Sequence, residues 1–411
     1  MIKRCLIPLF MLFTLFALSL PSLALRPSST GTVPFILDDN RMFAELVFVR
    51  PDGTLRKAFA FVDLGTPVPV LSENLFKELQ LDQNKPLIFR VGQIEVNVEP
   101  RTVQTDTGSF LTGPYGKAAT PVEAVLPGSV MKNYQVIFDY GRRSLTIARP
   151  NTLKAKGIAI PCRVNNQTGL ISIDAVIAGH SHAVAVDSGS AYSWFRNEIA
   201  QQWLKGASDW QRGKGAVGEA NMQTRSDGAE ASATILRFPE IHLGSLHLVQ
   251  IAALGIAPKA PPFPPVPGES ATTGDFFDWY SKKAPEPVIG WLGDNVLRAF
   301  RLMIDYPKRM TYWHQESELD PHDLDQVGLT LARRDAEKGY FVAGIAEKNG
   351  TATVEGVQPG DKLLQVDELR LADATRGAMF AALHGKPGTI RLLTLERDGK
   401  QFTLPAKTSA F

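Results

Sequence analysis

The sequence predicts a mainly β protein built as two similar lobes, followed by a small α/β module. Three observations carry that reading. The chain holds 34 Gly and 28 Pro, a density of turn formers suited to short strands. Apolar runs such as Ala44–Val49, Ala58–Val62 and Gln135–Phe138 are short and bounded by turn signals such as Pro51-Asp52-Gly53. The third observation is an internal repeat. Residues 121–147, PVEAVLPGSVMKNYQVIFDYGRRSLTI, align without a gap on 287–313, PVIGWLGDNVLRAFRLMIDYPKRMTYW.

Composition sets outer bounds. At 411 residues the chain is too long for one compact domain. Its 44% hydrophobic and 9% aromatic content supplies sizeable cores, which excludes global disorder. Charge is nearly balanced, with 44 Lys+Arg against 42 Asp+Glu, so no nucleic-acid partner is expected. At the N-terminus, Lys3 and Arg4 precede an apolar run from Cys5 to Leu20, and Ser22-Leu23-Ala24 supplies small residues. That pattern predicts a signal peptide over 1–24 and an exported protein, periplasmic or secreted. No later run is long and apolar enough to span a bilayer, so no integral membrane segment is expected after cleavage. Cleavage would also remove Cys5 and leave Cys162 alone, without an internal disulfide.

Residues 25–150 read as the first lobe. The polar segment Asn151–Lys156 leads into the second, 157–315. The second lobe carries an insert, 257–287, that the first lacks. Its first part, Ala257–Gly268 (APKAPPFPPVPG), predicts an exposed polyproline II loop. Its second part, Asp275–Tyr280 (DFFDWY), predicts a short helix that needs an apolar partner, packed near the cleft or the C-terminal module. Inside the repeat the shared frame is a short helix (Val130 to Tyr134, Val296 to Phe300), a strand ending in Asp-Tyr, a basic turn and another strand. Asp139 and Asp305 are expected to cap or orient that last hairpin. The module, 322–405, is expected to hold a helix over Asp373–His384, closed by Gly385 and Pro387.

Upstream of each repeat copy lies a second shared element: AFAFVDLGTPVPVLS around Asp63 and AVAVDSGSAYSWF around Asp187. Each is an apolar strand, an aspartate, one residue, Gly, then Ser or Thr. A strand ending in a tight turn sets the carboxylate at the lobe edge, and Gly65 or Gly189 admits a backbone approach that a Cβ would block. Thr66 or Ser190 can then hydrogen-bond the outer carboxylate oxygen. If the lobes meet about a pseudo-twofold axis, the two carboxylates share one proton and act as general acid and base on a water between them.

These two Asp-x-Gly-Ser/Thr elements, each followed by an Asp-Tyr repeat, resemble the two lobes of an aspartic protease over residues 32–315. The retropepsin-like branch is the nearer match, duplicated within one chain as in pepsins. The resemblance implies a bilobal double β-barrel, a peptide or protein substrate, and no cofactor or metal. It implies Asp63 and Asp187 as the catalytic pair, supported by Gly65, Thr66, Ser188, Gly189 and Ser190. Asp187-Ser188-Gly189-Ser190 fits the family motif throughout, whereas Asp63-Leu64-Gly65-Thr66 departs at its second position. In the family that hydroxyl joins the lobes by reciprocal hydrogen bonds, which Leu64 cannot make. A later glycine is present in Trp291-Leu292-Gly293, but Val125-Leu126 is followed by Pro127-Gly128, so the first lobe is the more divergent.

Val186-Asp187-Ser188-Gly189 also resembles the nucleophile region of trypsin-like serine proteases, which needs a histidine and an acid well upstream. The first histidine is His180, only a few residues before Ser188. His180 and His182 alternate on one strand face, but no further ligand cluster in the sequence joins them. At the C-terminal end, Asn349-Gly350-Thr351-Ala352 leading to Gly356-Val357-Gln358-Pro359-Gly360-Asp361 and KLLQVD resembles a PDZ domain of the bacterial protease-associated type. Asp398-Gly399 predicts a hairpin turn. Such domains bind extended peptides or protein C-termini at a sheet edge, and the resemblance points to Gly328, Leu329, Thr330 and Leu331 as the carboxylate-facing segment. Two functions fit: an exported aspartic endopeptidase with a PDZ domain, and a catalytically silent peptide binder on the same fold.

Overall fold

The computed structural model describes residues 28–82, 84–106, 121–215, 217, 230–257, 259–260, 274–334, 339–372 and 374–411. The expected signal peptide and most of the proline-rich stretch lie outside the described residues. Within them the protein is mainly β, and no helix is long and apolar enough to cross a membrane.

The sequence repeat becomes a repeated structure. The helices Gly128–Met131 and Asp294–Leu297 occupy matching positions, as do the strands Gln135–Asp139 and Phe300–Asp305, then Ser144–Ala148 and Met310–Gln315. Both helices start two residues earlier than the sequence suggests. In the second lobe the reason is visible: the Asp294 and Asn295 amides donate to the Ser190 and Ala191 carbonyls at 2.7 and 3.0 Å. A neighbouring loop thus satisfies first-turn donors that a helix cannot satisfy itself. The repeated aspartates tie the adjoining turns, as expected. Asp139 accepts from the Arg142 amide at 2.9 Å, and Asp305 from the Lys308 amide at 3.2 Å. Arg143 and Arg309 complete these turns in the left-handed region, each with φ 51°.

The two copies meet in one antiparallel ladder. Gln135–Asp139 pairs with Phe300–Asp305, and Ile137 faces Met303. The repeat aligns those same two residues with each other, so a pseudo-twofold axis passes between them. Ser144–Ala148 and Thr30–Asp38 extend the sheet on one side, and Met310–Gln315 and Ile158–Pro161 on the other. On this shared platform each lobe repeats one parallel pairing. Val62 lies beside Leu126 in the first lobe, and Val186 beside Leu292 in the second. In the second lobe Ile171–Ile177, His180–Val186, Gly290–Leu292, Ser193–Arg196, Leu246–Ile256 and Thr234–Leu243 close into a barrel through the pair Val176–His242. Closure removes the free sheet edge that six short strands would otherwise expose.

One apolar core runs through both lobes, from Val33 and Phe35 to Trp313. A second core joins lobe 2 to the C-terminal module: Trp194, Trp291, Phe277, Tyr280, Leu324, Ala346 and Phe411 pack together. The helix expected in DFFDWY forms over Phe276–Lys283, and its partner surface is Trp291, whose ring lies 5.4 Å from those of Phe277 and Tyr280. The C-terminal module has its own core, from Val327 to Ala406. Its helix, Arg376–Leu383, is capped by Thr375, and Asp398 and Gly399 turn the hairpin between Ile390–Arg397 and Lys400–Lys407 with φ 51° and 73°. The module is docked on both lobes. Thr375 donates to Asp38 of lobe 1 at 2.6 Å, and Glu347 pairs with Lys214 of lobe 2.

Candidate active site

Two strands of parallel-paired apolar residues end at the platform, and each releases its aspartate into a tight turn. Asp63 and Asp187 are 6% and 7% exposed, and their carboxyl groups are close enough to shift each other's ionisation. Sequence positions far apart are brought together here by the pseudo-twofold axis. Both glycines are obligatory for this approach: a Cβ on Gly65 would overlap the Asp187 carboxylate, and a Cβ on Gly189 would overlap Asp63.

The two turns are chemically unequal. Asp63 accepts from the Gly65 amide at 2.8 Å, from the Thr66 amide at 3.0 Å, and from the Thr66 hydroxyl. Asp187 accepts from the Gly189 amide at 2.8 Å. Ser190 departs from expectation, because its hydroxyl donates to the Tyr192 carbonyl at 2.6 Å and accepts from the Trp291 indole at 2.8 Å. A hydroxyl has one proton, and here the Trp291 packing directs it away from the aspartate. Burial pushes both carboxyls above the ordinary carboxylate value. Asp187 moves well above it, because the charge of Asp63 adds to its burial, while the Thr66 and Gly65 bonds hold Asp63 back. Two carboxyls placed this way share one proton as a pair rather than both ionising.

Beneath the pair, half of the cross-lobe contact survives. Ser188 accepts from the Leu64 amide at 3.2 Å and donates to the Val62 carbonyl at 3.0 Å. Leu64 has no hydroxyl to return, and its side chain is buried in the apolar core instead. Ser188 is itself fully buried and committed to lobe 1, which removes it as a nucleophile. Ser188→Ala is expected to leave the Leu64 amide without its acceptor, at a cost of about 1–3 kcal/mol. Urea unfolding checks the stability, and a fall in kcat at little-changed KM would show that the same bond holds the aspartates in place.

Several residues around the pair are not legible in the sequence. Asp294 is fully buried beside Asp187, and burial pushes its carboxyl well above the ordinary range; the Tyr140 hydroxyl donates to it at 2.7 Å. The repeat holds a signal for it, since lobe 1 has Gly128 in that position and leaves the matching Tyr306 hydroxyl without a partner among the described residues. Tyr280, on the insert helix, is buried with its hydroxyl unpartnered among the described residues, and the charges of both Asp187 and Asp63 raise its pKa further. A polar chain runs outward from the second turn. Asn295 accepts from the Ser193 amide and hydroxyl at 2.9 and 3.0 Å and donates to Asp323 at 3.4 Å. Asp323 pairs with Arg237 at 2.9 Å, and Arg237 also donates to the Phe411 main-chain oxygen at 3.0 Å.

The module aligns with a known family. A model described as "PDZ domain" matches residues 317–395. Residues 317–395 are a PDZ domain. The strand Lys400–Lys407 extends the PDZ sheet past the matched region. No curated protein matches the chain. Among solved structures, an aspartic proteinase from Irpex lacteus is similar over 70% of this chain and 97% of that one, at 11% identity and a TM-score of 0.38.

In the PDZ domain Leu329–Arg334 is an edge strand, paired with Gly339–Ile345. Gly328, Leu329, Thr330 and Leu331 are all buried. The Gly328 carbonyl accepts from Ala346 at 2.8 Å, and the Leu329 amide donates to Val327 at 2.7 Å. Phe411 packs over Gly328, where a Cβ would come within 3.1 Å of its ring. His180 and His182 sit on one strand without a third ligand among the described residues; the His182 ring instead meets Trp203 edge-on at 5.7 Å.

Proposed function

We propose that this chain is an exported aspartic endopeptidase that recognises extended peptides, with the PDZ domain as a second peptide-binding unit. The observation that carries the reading is the juxtaposition of two buried carboxyls, one from each copy of a repeated turn, each lying against the other turn's glycine. Like carboxylates that close cannot both ionise, so the pair holds one proton and one charge. The lobe 1 and lobe 2 boundaries at 25–150 and 157–315, and export directed by residues 1–24, belong to the same proposal.

The chemistry rests on the inequality of the turns. Asp63, held by Thr66 and Gly65, is the carboxylate that takes a proton from a bridging water as its oxygen attacks the peptide carbonyl carbon. Asp187 donates its proton to the carbonyl oxygen, giving a neutral tetrahedral diol. Asp63 then passes the captured proton to the leaving nitrogen, the C–N bond breaks, and one hydroxyl proton of the diol returns to Asp187. Asp294, Tyr140 and Tyr280 are buried within electrostatic reach of the pair, and the charge of Asp187 helps hold all three in their protonated forms.

Turnover is therefore expected to be bell-shaped in pH, its two limbs belonging to the pair and to neither residue alone. Peptide cleavage by purified protein, followed by mass spectrometry from acid to neutral pH, tests this. Leu64 gives the second reading its footing, since the missing arm of the cross-lobe contact loosens the pair. Peptide binding without hydrolysis at any pH would select that reading, a silent peptide binder.

A further inference from the structure

The hairpin of lobe 2 that closes the barrel carries a group of side chains unrelated to the aspartate pair. Thr234–Leu243 and Leu246–Ile256 are joined by the two-residue turn Gly244-Ser245, with Gly244 at φ 58°. Such a short loop fixes the register of the strands it joins. One step from the turn, His242 stands opposite His247, and Glu240 lies two residues before His242 on the same face. Directly paired residues and residues two apart bring their side chains together on one side of a sheet.

The side chains converge. The imidazoles of His242 and His247 stack with centroids 4.2 Å apart, and His242 Nε2 lies 3.0 Å from a Glu240 carboxylate oxygen. One ligand atom from each of the three lies within 4.8 Å of the other two. Leu243 and Leu246, which flank the turn, are buried, so the hairpin is anchored while its ligand face meets solvent. His242 is half-buried and the other two residues are exposed.

We propose that Glu240, His242 and His247 form a site for a divalent cation of the zinc type, with a fourth position open to water or to an outside ligand. Two imidazoles and one carboxylate are the donor set of an open tetrahedral zinc site. Imidazole donors disfavour calcium and magnesium, which take oxygen ligands in larger numbers. The tight turn preorganises the three ligands, so the cation cross-links two strands whose spacing is already set. The sequence-based expectation of no metal weighs only His180 and His182. The ligand group instead arises where a hairpin folds back, pairing residues that no spacing motif connects.

The test uses the full chain without an affinity tag, stripped by a chelator and titrated calorimetrically with zinc chloride. One saturable site per chain is expected, with no comparable heat from calcium chloride. Binding should weaken roughly tenfold or more in His242→Ala and in His247→Ala. It should also weaken at acid pH, because imidazole and carboxylate ligands bind deprotonated. Cobalt(II) should give tetrahedral visible absorption that the variants lose. All three positions lie on the solvent face, and thermal unfolding of each variant with no metal verifies folding. No saturable zinc binding, or zinc binding of unchanged affinity in the His242→Ala, His247→Ala double variant, overturns the proposal.

Discussion

Asp187→Asn is expected to lower peptide turnover by about 10²–10⁴-fold, the size of a lost general acid–base contribution, while making the folded chain more stable at neutral pH. The two effects share one cause. The native Asp187 carboxyl titrates well above its ordinary value of 3.8, through burial and the neighbouring charge of Asp63. Between those two values the folded state holds a proton that the unfolded state has released, so stability falls as pH rises through that window. Below 3.8 both states are protonated and the penalty is absent. Asparagine removes the ionisation altogether, so the gain in thermal midpoint should be present at neutral pH and vanish at the acid end. Asp63→Asn should lower turnover to a similar extent, with a smaller gain because Thr66 and Gly65 already favour its charge. Hydrolysis persisting in the Asp187→Asn protein, purified free of host proteases, would defeat the mechanism. A variant that loses turnover but melts earlier at neutral pH would contradict the account of the strained pair.

Arg237→Ala is the substitution expected to cost most in stability, about 3–5 kcal/mol, as for removal of one partner of a buried ion pair. Arg237 and Asp323 are both almost fully buried, at 2.9 Å. Arg237 also donates to the Gln250 and Phe411 carbonyl oxygens, each at 3.0 Å. Alanine would strand the Asp323 carboxylate, whose pKa burial already raises. Because Phe411 loses its tether, the damage should fall first on the docking of the PDZ domain. Urea unfolding gives the energy, and hydrogen exchange over residues 400–411 gives the place. A loss below about 1 kcal/mol, the range of an exposed pair, would show that the pair is not buried in solution.

Strand runs, turns and the repeat are legible because they are local or self-similar. Pro51-Asp52-Gly53 turns where its residue types predict, with Gly53 at φ 81°, and DFFDWY forms a helix with an apolar face. The repeat helices begin two residues before their apolar pattern does. The first-turn amides of Asp294 and Asn295 bond to a loop about a hundred residues earlier in the chain, which no local pattern announces. Motif position assigns the Ser190 hydroxyl to Asp187. Its proton goes to the Tyr192 carbonyl instead, a choice made by the seat of the Trp291 indole.

By itself, the sequence determined that there are two copies of one unit, which aspartates they carry and which copy had lost a hydroxyl, since alignment and residue identity suffice for each. Tertiary structure alone decided that Asp63 and Asp187 meet as a buried pair, that Asp294 and Tyr280 are buried within electrostatic reach of Asp187, and that the PDZ domain is fastened to both lobes. Those outcomes depend on desolvation and on partners across an interface. Both are properties of neighbours in space, and no periodicity along the chain encodes them.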